Sequence, residues 1–169
     1  NIIKMEKLKN KLIFAAWACE NRFFSTYQTF FDPLKKIFRK IIFFDPQKKL
    51  YLYGQEEMNK LFLDLVEKEQ PDYIFFILMT DEFYINTLLK IKELSPRTIT
   101  VNYFGDDDSL FDNYTRYYAP LFDYCLILPQ LDKEIYEKEG IKNIFFTCGA
   151  NLKHFRPLKL KKIYDVTFI

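Results

Sequence analysis

Short continuous apolar runs alternate along the chain with longer segments in which apolar residues recur at helical spacing. Six runs of strand length are KLIFAAWA (11–18), KIIFFD (40–45), YIFFILM (73–79), TITVNYF (98–104), YCLIL (124–128) and NIFFTCG (143–149). Because these runs are apolar without strict alternation, they predict strands that are covered on both faces, as in a parallel sheet.

The segments between these runs predict helices. Between 54 and 70 one helical stripe collects Met58, Leu61, Phe62, Leu65 and Val66. The segment 81–95 repeats this spacing with Ile85, Leu88, Leu89 and Leu94, and Pro96 ends it. A shorter helix is predicted over 131–140, with Gly140 as its C′ residue.

The helix after the first run has a less regular pattern. Pro33 either kinks this helix or begins a second one with Asp32 as its N-cap.

The alternation of strands and helices indicates an α/β fold. We expect a Rossmann-like, doubly wound, mainly parallel sheet of about six strands with helices on both faces. The 169 residues suffice for one domain with a sizeable core. We assign 1–150 to this domain, the basic, proline-bearing segment 151–165 to an exit linker, and 166–169 to the start of a further, missing domain.

Composition narrows the class of protein. Hydrophobic residues make up 49% and aromatic residues 19% of the chain, and the net charge of +2 is spread out, which favours a globular protein without nucleic acid as partner. No apolar run approaches the roughly 20 residues of a membrane span, and the N-terminus lacks a signal-peptide pattern.

The chain has three widely spaced cysteines, Cys19, Cys125 and Cys148, and this number and spacing argue against disulfides and a zinc site. Cys125 and Cys148 lie in apolar runs, so we expect them to be buried thiols. We infer a reducing, cytoplasmic setting.

Four loops are predicted to share the edge at which open α/β sheets bind ligands, beyond the carboxyl ends of the strands. They are 17–25, 80–82, 105–109 and 149–154. A dinucleotide site needs glycines in the first of these loops so that the backbone can approach the pyrophosphate. That loop has none and the chain has only four, so we expect neither NAD nor FAD.

The first loop instead carries Trp17 and Glu20. An indole face and a carboxylate suit a polyhydroxylated ligand, through stacking and hydrogen bonding. The alternative is that Trp17 packs under the helix and Glu20 faces solvent. Ser25 and Thr26 are expected to cap the following helix, with anion binding at its N-terminus as the other interpretation.

Asp106, Asp107 and Asp108 follow the fourth run directly. One of them is expected to cap the next helix, and the others either line the ligand cleft or bind a metal. His154, the only histidine, is either a general base or a solvent-facing linker residue.

The latter half of the chain carries a series of short motifs. They are an F-x-D-D-like stretch (104–108), aromatic-Ala-Pro-x-F-D (118–123), Y-x-x-x-G-x-K-N (136–143), a small-residue and Asn turn ending in F-x-P (149–157), and Y-D-V-x-F (164–168). In this order the motifs resemble the CgeB-like (spore maturation protein type) glycosyltransferases of GT-B architecture.

This resemblance implies a two-domain enzyme that transfers a sugar from a nucleotide-sugar donor to an acceptor, without a cofactor or bound metal. Residues 1–150 would form the N-terminal, acceptor-side domain, and the missing domain would bind most of the donor. The fragment alone is then expected to be inactive. The candidate catalytic bases are Glu20 and Asp106, and the candidate acceptor contacts are Trp17, Asp107, Asp108 and Asn151.

An alternative function is a non-catalytic α/β ligand- or protein-binding module. The lack of a nucleophile–base pair and the many aromatic residues favour it.

Overall fold

The computed structural model describes residues 7–17, 25–128 and 131–147, together with 161 and 163. Six strands form one sheet in the order β2-β1-β3-β4-β5-β6. They are β1 (Leu8–Ala16), β2 (Phe38–Phe44), β3 (Tyr73–Ile77), β4 (Ile99–Phe104), β5 (Tyr124–Ile127) and β6 (Ile144–Phe146). Every neighbouring pair is parallel, which confirms the predicted α/β class and strand number.

Helical segments connect the strands. They are α1 (Asp32–Ile37), α2 (Pro46–Tyr53), α3 (Gln55–Glu69), α4 (Ile85–Leu94), α5 (Asp107–Leu110), α6 (Arg116–Tyr118) and α7 (Lys133–Lys138). π-helical turns over Tyr27–Phe31 and Phe111–Thr115 precede α1 and α6, and a 3-10 turn over Ala119–Leu121 follows α6. Within the described ranges, no helix combines the length and the apolarity that crossing a bilayer requires.

The two faces of the sheet carry separate apolar clusters. On one, which we call the α1 face, Leu12, Phe14 and Phe75 pack against Phe30 and Phe31 from the turn before α1. The opposite face, which we call the α3 face, carries the larger cluster, to which α3, α4 and α7 contribute Phe62, Val66, Leu88, Ile91 and Tyr136. Because helices cover both faces, the sheet is doubly wound, as predicted.

The helix before β2 continues through Pro33 rather than starting again there. Asp32 has helical backbone angles, so it is not an N-cap. Its N–H donates to the carbonyl oxygen of Tyr27, five residues back, which widens the turn that precedes the proline. Since Pro33 has no N–H of its own to donate, the helix absorbs the proline through this widened turn.

Helix α2, between β2 and α3, was not predicted from the apolar pattern. Asp45 caps it by accepting a hydrogen bond from the Lys48 N–H at 2.9 Å, and Pro46 occupies its first turn. Gly54, with φ of 82°, separates α2 from α3. This Asp-Pro start is a recognisable helix signal, whereas the apolar residues of α2 follow one another without helical spacing.

The predictions for Gly140 and Cys125 are confirmed. Gly140 follows α7 with a φ of 77°, as expected for a C′ glycine. Cys125 is a buried free thiol, and burial, with a smaller effect of the Asp107 charge, raises its pKa to about 12. Cys19, Cys148, nearly all of the predicted linker 151–165 and the segment 166–169 lie outside the described residues.

Candidate functional site

A crevice of about 280 Å³ opens at the carboxyl ends of β1, β3, β4 and β5, on the α1 face. It lies where the strand order reverses, because β1 pairs with β2 on one side and with β3 on the other. This switch point is where doubly wound sheets bind their ligands. The lining includes the aromatic rings of Trp17, Phe30 and Tyr103, the hydroxyl-bearing Ser25, Thr26 and Thr29, and the carboxylate-bearing Asp106.

Trp17 and Asp106, two of the residues predicted to form the site, line this crevice together. Trp17 follows the last residue of β1 and is half-buried. Glu20, Asn151 and His154 lie outside the described residues, so their roles stay predictions. Thr26 has helical backbone angles, and its side chain makes no capping hydrogen bond, in contrast to the expected N-cap.

Tyr103 is a crevice residue that the sequence analysis did not single out. Its ring lies 4.9 Å from that of Phe30, centroid to centroid, on the α1 face of β4. Burial, and to a lesser degree the charge of Asp106, raises the pKa of Tyr103 above that of a free phenol, which is itself protonated at neutral pH. The available signal was its position in β4, since alternate residues of a strand point to the same face.

Asp106 begins the helical stretch through its backbone alone. Its carbonyl oxygen accepts hydrogen bonds from the N–H groups of Ser109 and Leu110, at 3.1 and 2.9 Å. Its side chain makes no capping hydrogen bond, so the expected capping carboxylate is not at this position. The exposed carboxylate instead belongs to the crevice lining.

Asp107 has the opposite environment, with 2% of its surface exposed. One carboxylate oxygen accepts a hydrogen bond from Thr115 Oγ1 at 2.5 Å, and the other accepts one from the Tyr136 hydroxyl at 2.7 Å. Burial raises the pKa of Asp107, although these two hydrogen bonds act in the other direction. Since both oxygens have partners inside the domain, the geometry favours a structural role over the predicted acceptor contact.

Asp108 is exposed and lies in the first turn of α5, where a negative charge is favourable. The three neighbouring aspartates thus have three different surroundings. Among the residues that the structure describes, no group of three His, Cys, Asp or Glu side chains is arranged to hold a metal ion.

The loop between β3 and α4 forms another wall of the crevice. Hydrogen bonds within the loop and to α3 hold it in place. The buried Glu82 carboxylate accepts hydrogen bonds from the N–H groups of Met79 and Thr80, at 2.8 and 2.9 Å. Asn59, from α3, donates to the Glu82 carbonyl oxygen and accepts from the Tyr84 N–H, both at 3.0 Å. These bonds fix Met79, which lines the crevice, without using a ligand.

Two polar side chains lie buried beneath this edge, close to each other. They are the Tyr114 hydroxyl and the Asn102 side-chain amide. Tyr114 also lines a small cavity of about 30 Å³ that shares Leu78, Gly105 and Asp106 with the crevice. Burial raises the pKa of the Tyr114 hydroxyl, whereas its contact with the Asn102 side chain acts in the other direction, so each group is the other's available partner.

We expect Tyr114→Phe to lower the free energy of unfolding by no more than about 1 kcal/mol, because the only side-chain partner of the lost hydroxyl is the neutral amide of Asn102. The matched control is Tyr136→Phe, which removes the hydroxyl that donates to Asp107 and should lower stability by about 1–3 kcal/mol. Urea unfolding of both variants measures the difference. Equal effects would contradict the assignment of the stronger hydrogen bond, the one to a carboxylate, to Tyr136.

No known protein-family model matches this chain. No curated protein sequence is significantly similar to it either. The CgeB-like motifs therefore stay a resemblance that rests on the residues alone.

Proposed function

We propose that this domain is the acceptor-side half of a GT-B type glycosyltransferase and that its crevice binds a hydroxyl-rich acceptor. The observation that carries this proposal is the set of side chains at the switch point: Trp17, Tyr103 and Asp106 line one crevice. Aromatic faces pack against the apolar faces of sugar rings, and a carboxylate accepts hydrogen bonds from their hydroxyl groups.

The sequence motifs and the first loop also support the proposal. The loop after β1 lacks the glycines of a dinucleotide site, which leaves the switch point to another ligand class. The motifs from 104 to 168 resemble the CgeB-like glycosyltransferases, in which a second domain binds the nucleotide-sugar donor.

The proposed chemistry places a base beside the acceptor. In an inverting transfer, the acceptor oxygen bonds to the anomeric carbon while the bond from that carbon to the nucleotide breaks, and the nucleotide leaves with the electron pair. The acceptor proton passes to a carboxylate within hydrogen-bond reach. Asp106 is the candidate base in the crevice, and Glu20 is the second candidate.

Trp17 provides a direct test, because it is the only tryptophan in the chain and lines the crevice. We expect saturable changes in its emission on titration with methyl pyranosides or disaccharides. UDP-glucose and GDP-mannose should bind little better than their free sugars. A parallel rise of the thermal midpoint checks that binding is to the folded state.

The carboxylate variants provide the control. Asp106→Asn should weaken saccharide binding about 10-fold through loss of a charge-assisted hydrogen bond. Asp108, although predicted as an acceptor contact, is not part of the crevice lining, so Asp108→Asn should leave binding unchanged. The proposal fails if no saccharide binds at millimolar concentration. Tight binding through the nucleotide moiety would contradict the acceptor-side assignment.

A non-catalytic protein-binding module is the second candidate, and a different surface favours it. On α2, Tyr51 is 88% exposed, and Leu52 and Tyr53 beside it are exposed as well. Contiguous exposed apolar side chains are typical of interaction surfaces. This candidate predicts that the saccharide titration has no effect.

A further inference from the structure

Tyr103 is held so that its hydroxyl lies beside the loop that carries Asp106. Phe30 contacts one side of the ring, with centroids 4.9 Å apart. The ring also lies close to Gly105, where an added Cβ would be 3.2 Å from the ring Cε1 and 3.7 Å from the hydroxyl oxygen. Glycine at 105 therefore allows the phenol to lie against the backbone directly before Asp106.

We propose that the Tyr103 hydroxyl and the Asp106 carboxylate act as a pair that binds two neighbouring hydroxyl groups of one saccharide ring. Both residues line the crevice. The phenol supplies an O–H donor and the carboxylate supplies only acceptors, so one ligand hydroxyl accepts while its neighbour donates. This inference rests on the proposed function, which it narrows to ligands with a vicinal diol.

The surroundings of the pair support this division of roles. A tyrosine hydroxyl is protonated at neutral pH and can donate, and burial and the Asp106 charge raise its pKa further. The Asp106 side chain makes no capping bond to α5. A site built to hydrogen-bond a hydroxyl discriminates against the analogue that lacks it, because its own polar groups are then left without a partner.

The test compares methyl pyranosides that have a vicinal diol with their mono-deoxy analogues, using Trp17 emission in the full chain. We expect the wild type to prefer the diol about 10-fold. Tyr103→Phe should bind the diol about 3- to 10-fold more weakly and lose most of this preference. Tyr73→Phe is the matched control, since Tyr73 lies on the same face at the opposite end of the strands.

Gly105→Ala tests the geometry separately. Its added methyl group would lie 3.2 Å from the ring Cε1, so the Tyr103 ring must shift slightly while it keeps its hydroxyl, and the diol preference should fall less than in Tyr103→Phe. An unchanged thermal midpoint of Tyr103→Phe shows that its fold is intact.

The outcomes separate the two proposals. Saccharide binding without a diol preference, or a preference that survives in Tyr103→Phe, would overturn the paired role and leave the proposed function standing. Failure of every saccharide to bind would overturn both.

Discussion

Asp107→Ala is expected to lower the free energy of unfolding by about 3 kcal/mol or more, because it leaves two buried hydroxyl donors without an acceptor and creates a cavity. The donors are Thr115 and Tyr136, and both side chains are fully buried. Through them Asp107 ties α5 to the π-helical turn before α6 and to α7. Losing it should therefore loosen three segments together.

The neighbouring aspartate is the matched control. Asp108→Ala removes a carboxylate of the same type from an exposed position of the same helix, and should change stability by no more than about 0.5 kcal/mol. Urea unfolding followed by circular dichroism measures both. Similar losses for the two variants would show that Asp107 is not the anchor of this region.

Phe62→Ala is expected to cost about 3–5 kcal/mol, the range for removing a buried phenylalanine side chain. Phe62 is fully buried in α3, and its ring centroid lies 4.9, 5.6 and 4.6 Å from those of Phe44, Phe76 and Phe83. No single neighbour can fill the space, because the three rings are held on β2, β3 and the loop after β3 and Phe83 also packs against the other two.

The consequence for the crevice distinguishes Phe62 from an ordinary core residue. Phe83 belongs to the loop whose Glu82 fixes the N–H groups of Met79 and Thr80. Phe62→Ala should therefore also weaken ligand binding at the crevice under conditions in which the variant remains folded. Phe145→Ala, on edge strand β6 where the side chain is 53% exposed, is the control and should cost less than about 1 kcal/mol. Comparable midpoints for both would contradict this account.

The sheet and the long helices were predictable because their apolar residues are spaced by secondary structure. The apolar runs at 73–79 and 98–104 correctly predicted β3 and β4. The stripe through Met58, Phe62 and Val66 correctly predicted α3. α2 was missed because its apolar residues Leu50 to Tyr53 are consecutive and exposed, so no stripe marks it.

The roles of the aspartates could not be predicted in the same way. Adjacent residues of identical chemistry differ only in what the tertiary structure brings near them. Asp107 is buried because Thr115, 8 residues away, and Tyr136, 29 residues away, point hydroxyl groups at it. Tyr103 was missed for a related reason, since its place in the crevice depends on Phe30 from another segment.

The position of β1 in the sheet has a consequence for synthesis on the ribosome. Strand β1 pairs with β2 on one side. On the other side Ile13 pairs with Ile74 of β3, which is synthesised later than β2. Translation adds about 5–20 residues per second, so for several seconds a nascent chain displays a strongly apolar, half-paired strand. A chaperone that shields apolar nascent segments should therefore raise the soluble yield of this polypeptide more than it raises that of a helical bundle of equal size.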